Sequence, residues 1–536
     1  MGDRMTVTRP TYRSRFVFTA KRFRNFLKVF GRSRRGMFGI AILVFFAFLA
    51  VGAPLLTPND PTFDNFVSSD YAQPIWFKYM PSGQNVAEDI YPVKDPHFLL
   101  ADSLTGSNPD WNLTVETAYP SLSSITLKHS DLGRPIEFGG SGPGSAEISF
   151  HRARSRAPAG TVYVVLTNNF DYRYGSPPER FSADVTVLVN GAEEVNVETR
   201  LFIANASGSP LRVGNVTLDR FYLWTSPKIT NTTGHWITPT SSVDSYESRM
   251  VERVQKITGI IGLKAAKAVF PIPGEYQYGF EVIFTDQNSG TVDRDISVNV
   301  DDLGFRLYGN AYGVLGTDQR GRDLFSQLVY GARISLFVGI FSAVLSVFIG
   351  LFVGLIAGYL GRVIDEILMR FTDALLVLPG LPLLLVLIAV LGPSLWNLIM
   401  VIGVLGWMGF ARMVRSQTLS LRERPFVEAA KAVGAGKWHI ISRHVLPNVM
   451  NLVYVSLALN VPSAILSEAA LSWLGLFDPN QASWGRTLYD AQQYQGGQYW
   501  WWIVPPGVSI ALVSLSFILI GYALDEILNP KLRQRR

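Results

Sequence analysis

The sequence predicts an α-helical membrane protein of six spans, with a mainly-β domain inserted after the first. Three observations carry this: apolar runs of crossing length, a long polar stretch of strand-like alternation, and basic residues gathered beside the runs. Composition agrees. The 536 residues have a mean hydropathy of +0.20 and only 17% charged residues, low for a soluble chain. A net charge of +6 and a pI near 9.2 would suggest nucleic acid in a soluble protein. Here the cations flank apolar runs, so membrane topology accounts for them and no nucleic-acid partner is expected. Cysteine is absent, which removes disulfides, thiolate metal sites and cysteine nucleophiles.

Residues 1–35 hold eleven Lys or Arg against one acid, Asp3, and form a basic segment expected in the cytoplasm. The apolar run 36–56 is the first span. A cleavable signal peptide is the alternative, since Ala50, Gly52 and Ala53 are small, but the long basic flank and the later spans argue against it.

Residues 57–310 change character. Runs at 161–167, 183–189, 195–203 and 216–224 alternate like strands between turn residues, and 274–286 with 293–300 read as a closing pair. Pro273-Gly274-Glu275-Tyr276 before an alternating run suggests the penultimate strand of an immunoglobulin-like sandwich. Residues 243–270 have helical spacing and interrupt it. Four N-x-[ST] sequons, at Asn112, Asn205, Asn215 and Asn231, all fall in this region, which fits an outward-facing domain.

An interfacial segment, 311–333, leads into a five-helix core over 334–524. Its spans read as 334–359, 369–391, 394–414, 449–476 and 501–524. With the first span running outward, two basic clusters land inside: Arg415, Arg422, Arg424, Lys431, Lys437 and Arg443 within the loop 415–448, and Lys531, Arg533, Arg535 and Arg536 in the tail 525–536.

Enzyme motifs fail on inspection. Gly434-Ala435-Gly436-Lys437 resembles a phosphate-binding loop, but Lys431 stands where the earlier glycine belongs and Trp438 where Ser or Thr would hold Mg²⁺. Glu468, a carboxylate inside the fifth span, is a candidate for the pathway or a proton relay. Set against that, no second acid or histidine accompanies it at helical spacing, so a carboxylate bonded to helix ends is the plainer reading. His439 and His444 are five residues apart, which an α-helix does not place on one face, so no metal site is expected. Pro379 and Pro462, with Pro382 and Pro393, interrupt helical hydrogen bonding and are candidate pliant points.

The loop before the fifth span carries the function. Glu428-Ala429-Ala430, then Gly434 four residues after the second alanine, then Leu446-Pro447, resembles the EAA loop of ABC importer permeases. Alanine-rich helix formers give a thin helical face suited to a cleft, Gly434 permits a sharp turn, and Pro447 is expected to break the helix. The segments 315–323, Tyr330-Gly331-Ala332-Arg333, 467–476, Trp484-Gly485 and 521–533 resemble the C-type permease of dipeptide and oligopeptide importers, as do Arg34-Arg35-Gly36 and Asn59-Asp60-Pro61. The outer insertion is far longer than is usual for that family.

The resemblance implies a type I importer permease fold in the cell membrane with both termini cytoplasmic. It also implies a second related permease, two cytoplasmic ATPase subunits that bind ATP and Mg, and an external solute-binding protein. This chain itself is expected to bind no cofactor and to break no bond. A receptor anchored by its bundle and an intramembrane enzyme are the competing classes. The first has no use for an ATPase dock, and the second would need paired catalytic groups that the spans do not show.

Overall fold

A computed structural model describes residues 30–81, 86–105, 109–117, 123–136, 142–152, 160–192, 195–240, 243–286, 293–494 and 498–528. The basic residues from Arg4 to Lys28 and the tail cations Lys531, Arg533, Arg535 and Arg536 lie outside these. The chain divides into two compact units: one of residues 1–65 with 322–536, the other of residues 66–321.

The first unit is helical. Helix α1 (Arg34–Leu56) starts where the Ser33 hydroxyl accepts the Gly36 amide. Helix α2 (Leu324–Leu360) has 37 residues, so it begins ten before the expected span and absorbs much of the segment read as interfacial. Its start is set by Asp323, whose carboxylate accepts the amides of Phe325 and Ser326. Burial raises the Asp323 carboxyl above the ordinary range, while the Ser326 hydroxyl bond and the amide bonds oppose that shift.

The expected span 369–391 is two helices, α3 (Arg362–Val377) and α4 (Gly380–Leu391), bent by 90°. The cause is Pro379. It has no amide to donate, and it holds Leu378 at φ −69°, ψ 136°, an extended conformation. The next span is also interrupted, as α5 (Leu395–Leu405) and α6 (Met408–Arg422), with a break at Gly406-Trp407, and it runs on to Arg422 instead of ending at 414. Helix α7 (Pro425–Ala432) leads to α8 (Leu446–Trp473), the short α9 (Trp484–Gln493) and α10 (Trp500–Leu528). Among the described residues five helices are long and apolar enough to cross a membrane, or six if the bent pair counts as one span.

Small residues let these helices approach. A Cβ on Gly354 would lie 2.6 Å from the Ala411 carbonyl and the Val414 side chain, and one on Gly339 2.4 Å from Ile465. Glycine at these positions is what allows α2 to lie against α6 and α8.

The second unit is β-rich. Five antiparallel strands pair in the order Asn112–Thr117, Thr161–Tyr172, Gly274–Asp286, Val195–Asn205, Phe221–Thr225. Four more pair as Ser123–Ser130, Ser145–Arg152, Arg294–Asp301, Thr186–Asn190. The two sheets share one apolar core, in which Phe150 of the second stacks on Phe284 of the first at 4.7 Å. These orders differ from the A-B-E-D and C-F-G sheets of an immunoglobulin domain. The expected closing pair is also corrected. Gly274–Asp286 is the centre of one sheet and Arg294–Asp301 belongs to the other, so they are not partners. The helical spacing at 243–270 becomes two short helices, Ser248–Thr258 and Ala265–Val269. The unit closes later than the expected residue 310, because the Thr317 hydroxyl donates to the Ser69 carbonyl and accepts the Ala72 amide at 2.8 Å.

Candidate functional site

The coupling residues expected from sequence form a compact helix–turn–helix. Pro425 opens α7 at a position where no helical amide is needed. The helix stops in a left-handed turn: Gly434 has φ +85°, its amide donates to the Lys431 carbonyl at 2.9 Å, and the Ala435 amide reaches back to Ala430 at 3.0 Å. This is the glycine-capped end that satisfies the last carbonyls of a helix. A Cβ on Gly434 would meet nothing within 4 Å, so the requirement for glycine is conformational alone. Gly434→Ala is therefore expected to destabilise the turn by about 1–2 kcal/mol. Gly434→Asn should cost less, and ATPase stimulation in the two variants should fall in that order.

One side of the hairpin is anchored. Val427, Ile440, Ile441, Val445 and Val449 are buried with Tyr359, Val414 and Leu421 in a single apolar cluster. The other side is open. Glu428, Ala429 and Gly434 are exposed, Ala430 is half-buried, and the large side chains Phe426, Val433 and Trp438 stand in solvent, Val433 at 89%. The hairpin thus carries an exposed apolar patch on an otherwise basic surface.

Pro447 does not break the helix. It sits in the first turn of α8, immediately after one π-helical turn at Ile441–Val445. There the Leu446 amide donates five residues back to the Ile441 carbonyl, and the Asn448 side chain donates to the His444 carbonyl at 2.7 Å. The wider turn takes up the proline without ending the helix. It also corrects the expectation for the two histidines. A π-turn brings residues five apart onto one face, and the rings of His439 and His444 are 6.0 Å apart. Leu446 is half-buried and Pro447 exposed.

A second constellation surrounds Glu468, which is 1% exposed. Its carboxylate accepts from Ser472 at 2.8 Å and Ser335 at 3.4 Å, and Ser483 also bonds to it. Ser483 is the cap of α9, so the carboxylate sits at the start of that helix. The same place explains two glycines of the sequence motifs. A Cβ on Gly331 would lie 2.7 Å from the Trp484 indole, and one on Gly485 2.6 Å from Ser472. The indole Nε1 donates to the Leu328 carbonyl at 2.9 Å. Arg322 and Asp490 complete the attachment of α9 with a buried pair at 2.9 Å. Three segments distant in sequence thus meet here. Through these hydroxyl bonds Glu468 joins α2, α8 and the start of α9.

Of the candidate pliant prolines, Pro379 stands at the 90° bend and Pro462 lies within α8. The sequons all fall on the β-rich unit. Asn112, Asn215 and Asn231 are exposed, while Asn205 is half-buried with its amide donating to the Ser209 hydroxyl.

Comparison with known proteins places the chain. The model of "Binding-protein-dependent transport system inner membrane component" matches residues 350–534, and that of "N-terminal TM domain of oligopeptide transport permease C" matches 21–74. A dipeptide transport system permease protein, DppC, from Alkalihalophilus pseudofirmus is 42% identical over 230 residues, 42% of this chain and 75% of that protein. Two Bacillus subtilis proteins are similar: DppC, 41% identical over 41% of this chain and 69% of its own length, and the oligopeptide permease OppC, 39% identical over 41% and 72%. These relatives are shorter than this chain by roughly the size of the β-rich unit. On these matches and the helical unit described above, the chain belongs to the family of binding-protein-dependent transport system inner membrane components, as a C-type permease subunit of dipeptide and oligopeptide ABC importers.

Proposed function

We propose that this chain forms, with a second related permease, the translocation path for peptides, or a related solute such as an oligosaccharide, delivered by an external binding protein. Two cytoplasmic ATPase subunits, which carry the ATP and Mg, drive it, and this chain has no hydrolysis site of its own. Both termini and the 425–449 hairpin face the cytoplasm; the β-rich unit faces outward, with its sequons open to glycosylation where the host performs it. Closure of the ATPases on ATP pushes the hairpin, and the hairpin moves α8 and α6, which share its apolar cluster. The path then opens outward to receive solute, and hydrolysis returns it inward.

The observation that carries this reading is the two-sided hairpin. One face is welded into the bundle through Val427, Ile440, Ile441 and Val445, and the other presents Glu428, Val433 and Trp438 to solvent. A lever needs both. A receptor whose bundle is only an anchor has no use for the open face.

The chain contains no cysteine, so Val433→Cys introduces a single thiol. In the assembled importer it should form a disulfide with a cysteine placed in the ATPase cleft, and the cross-link should stop ATP-driven uptake. No cross-link at any cleft position, in a complex that still hydrolyses ATP, overturns the docking assignment. Replacing 66–321 with a short linker tests the outer unit. The Phe66 amide donates to the Arg320 carbonyl at 2.9 Å, so the unit's two ends are adjacent and the excision is geometrically mild.

A further inference from the structure

Helix α3 carries two exposed stripes of opposite chemistry. At 3.6 residues per turn, Arg362, Glu366, Arg370 and Asp373 fall on one side, and Val363, Ile367 and Phe371 fall on another, roughly a third of a turn away. Both sides are open in the single chain: Ile367 is 62% exposed, and the side chains of Glu366 and Arg370 are 60% and 80% exposed. The apolar stripe suits lipid. The charged stripe does not, because ionised groups facing hydrocarbon are costly and normally face protein or water.

The neighbouring helix extends the hydrophilic stripe. On α6 the exposed positions are Gly409, Arg412, Met413, Ser416, Gln417 and Ser420, mostly polar, on the side away from the buried Phe410, Ala411, Val414 and Thr418. Two ion pairs tie the helices: Arg415 holds Asp365, and the Arg412 guanidinium holds Asp373. The second pair is open, with Arg412 and Asp373 52% and 54% exposed. Arg412 stands ten residues, about 15 Å along the axis, before the helix ends at Arg422. A polar face shared by two adjoining helices of the bundle, beside the apolar stripe on α3, suits a wet cavity better than lipid.

We infer that Glu366, Arg370, Asp373, Arg412 and Ser416 line the water-filled inner part of the translocation path, and that the open Asp373–Arg412 pair there meets solutes bearing both a positive and a negative end. This rests on the permease membership and on the proposed orientation, and it is independent of the docking assignment.

Single cysteines test it in the assembled importer, in inside-out vesicles, with a charged membrane-impermeant thiol reagent. Ser416→Cys and Glu366→Cys should react at least about ten-fold faster than Ile367→Cys and Phe371→Cys, as thiol reactivity follows exposure. Trapping the ATPases with vanadate should slow Ser416→Cys. Ser416→Cys is nearly isosteric, so it keeps the test alive if Glu366→Cys fails to assemble. Equally slow reaction at all four positions overturns the inference and makes this face the seam with the second permease. Fast reaction at Ser416→Cys that vanadate does not change also overturns it, as a surface permanently open to the cytoplasm. The rate ratio among the four cysteines is read without uptake or ATPase coupling, so a failed docking assignment leaves that arm standing.

Discussion

Glu428→Lys is expected to abolish ATP-driven uptake while leaving the bundle folded and the complex isolable. Glu428 is exposed near the start of α7, where the helix dipole favours an acid, and it contributes nothing to the apolar anchor below it. Charge reversal there weakens the helix start by only about 0.3–1 kcal/mol, so its main effect is expected on the proposed partner surface. Reversing a charge at the centre of an interface costs about 2–5 kcal/mol, so coupling should fall by about 30-fold or more. Solute uptake into proteoliposomes and solute-stimulated ATP hydrolysis, measured on one preparation, check this. The expected pattern is basal hydrolysis retained, stimulation lost and uptake lost. Unchanged uptake with unchanged stimulation refutes the coupling role of Glu428.

Arg322→Met should have the largest effect on stability. The Arg322 and Asp490 side chains are 3% and 12% exposed and lie 2.9 Å apart, joining the start of α2 to α9. Removing one member breaks a buried ion pair, at about 3–5 kcal/mol. The thermal midpoint of the purified permease should drop by roughly 10 °C. Arg322→Met with Asp490→Leu should recover most of that loss, because an apolar pair has no charge to desolvate. If the double variant is no better than the single, the loss lies in other contacts of Arg322. The neighbouring Glu468 cluster predicts that α9 loosens in the single variant, seen as faster proteolysis across residues 477–499.

How much of the fold and of the coupling site is legible in the amino-acid sequence depends on the kind of signal. The coupling hairpin is readable because its parts are local: an alanine-rich helix, a glycine that ends it, and apolar residues at helical spacing. A one-turn change in helix type is not readable. The turn at Ile441–Val445 keeps Pro447 inside a continuous helix and brings His439 beside His444. No residue type announces a π-turn. The strands at 123–130 and 145–152 escape notice because they are polar on their solvent side, although Ile125, Leu127, Ile148 and Phe150 alternate inward. Pro379 is legible as a pliant point, but its 90° angle is not, because a proline forbids one conformation without dictating the next.

By itself the sequence determined the class of this protein. Apolar runs, flanking cations and the spaced EAA pattern are consequences of bilayer thickness, charge asymmetry and helix capping, all of which act over a few residues or one span. Tertiary structure alone decided three things. It put Glu468 among three serines at the start of α9, joined strands from across the β-rich unit into its two larger sheets, and gave α3 and α6 a common hydrophilic face. Each depends on which distant segments become neighbours, and that is settled by packing summed over the whole chain, which no local pattern encodes.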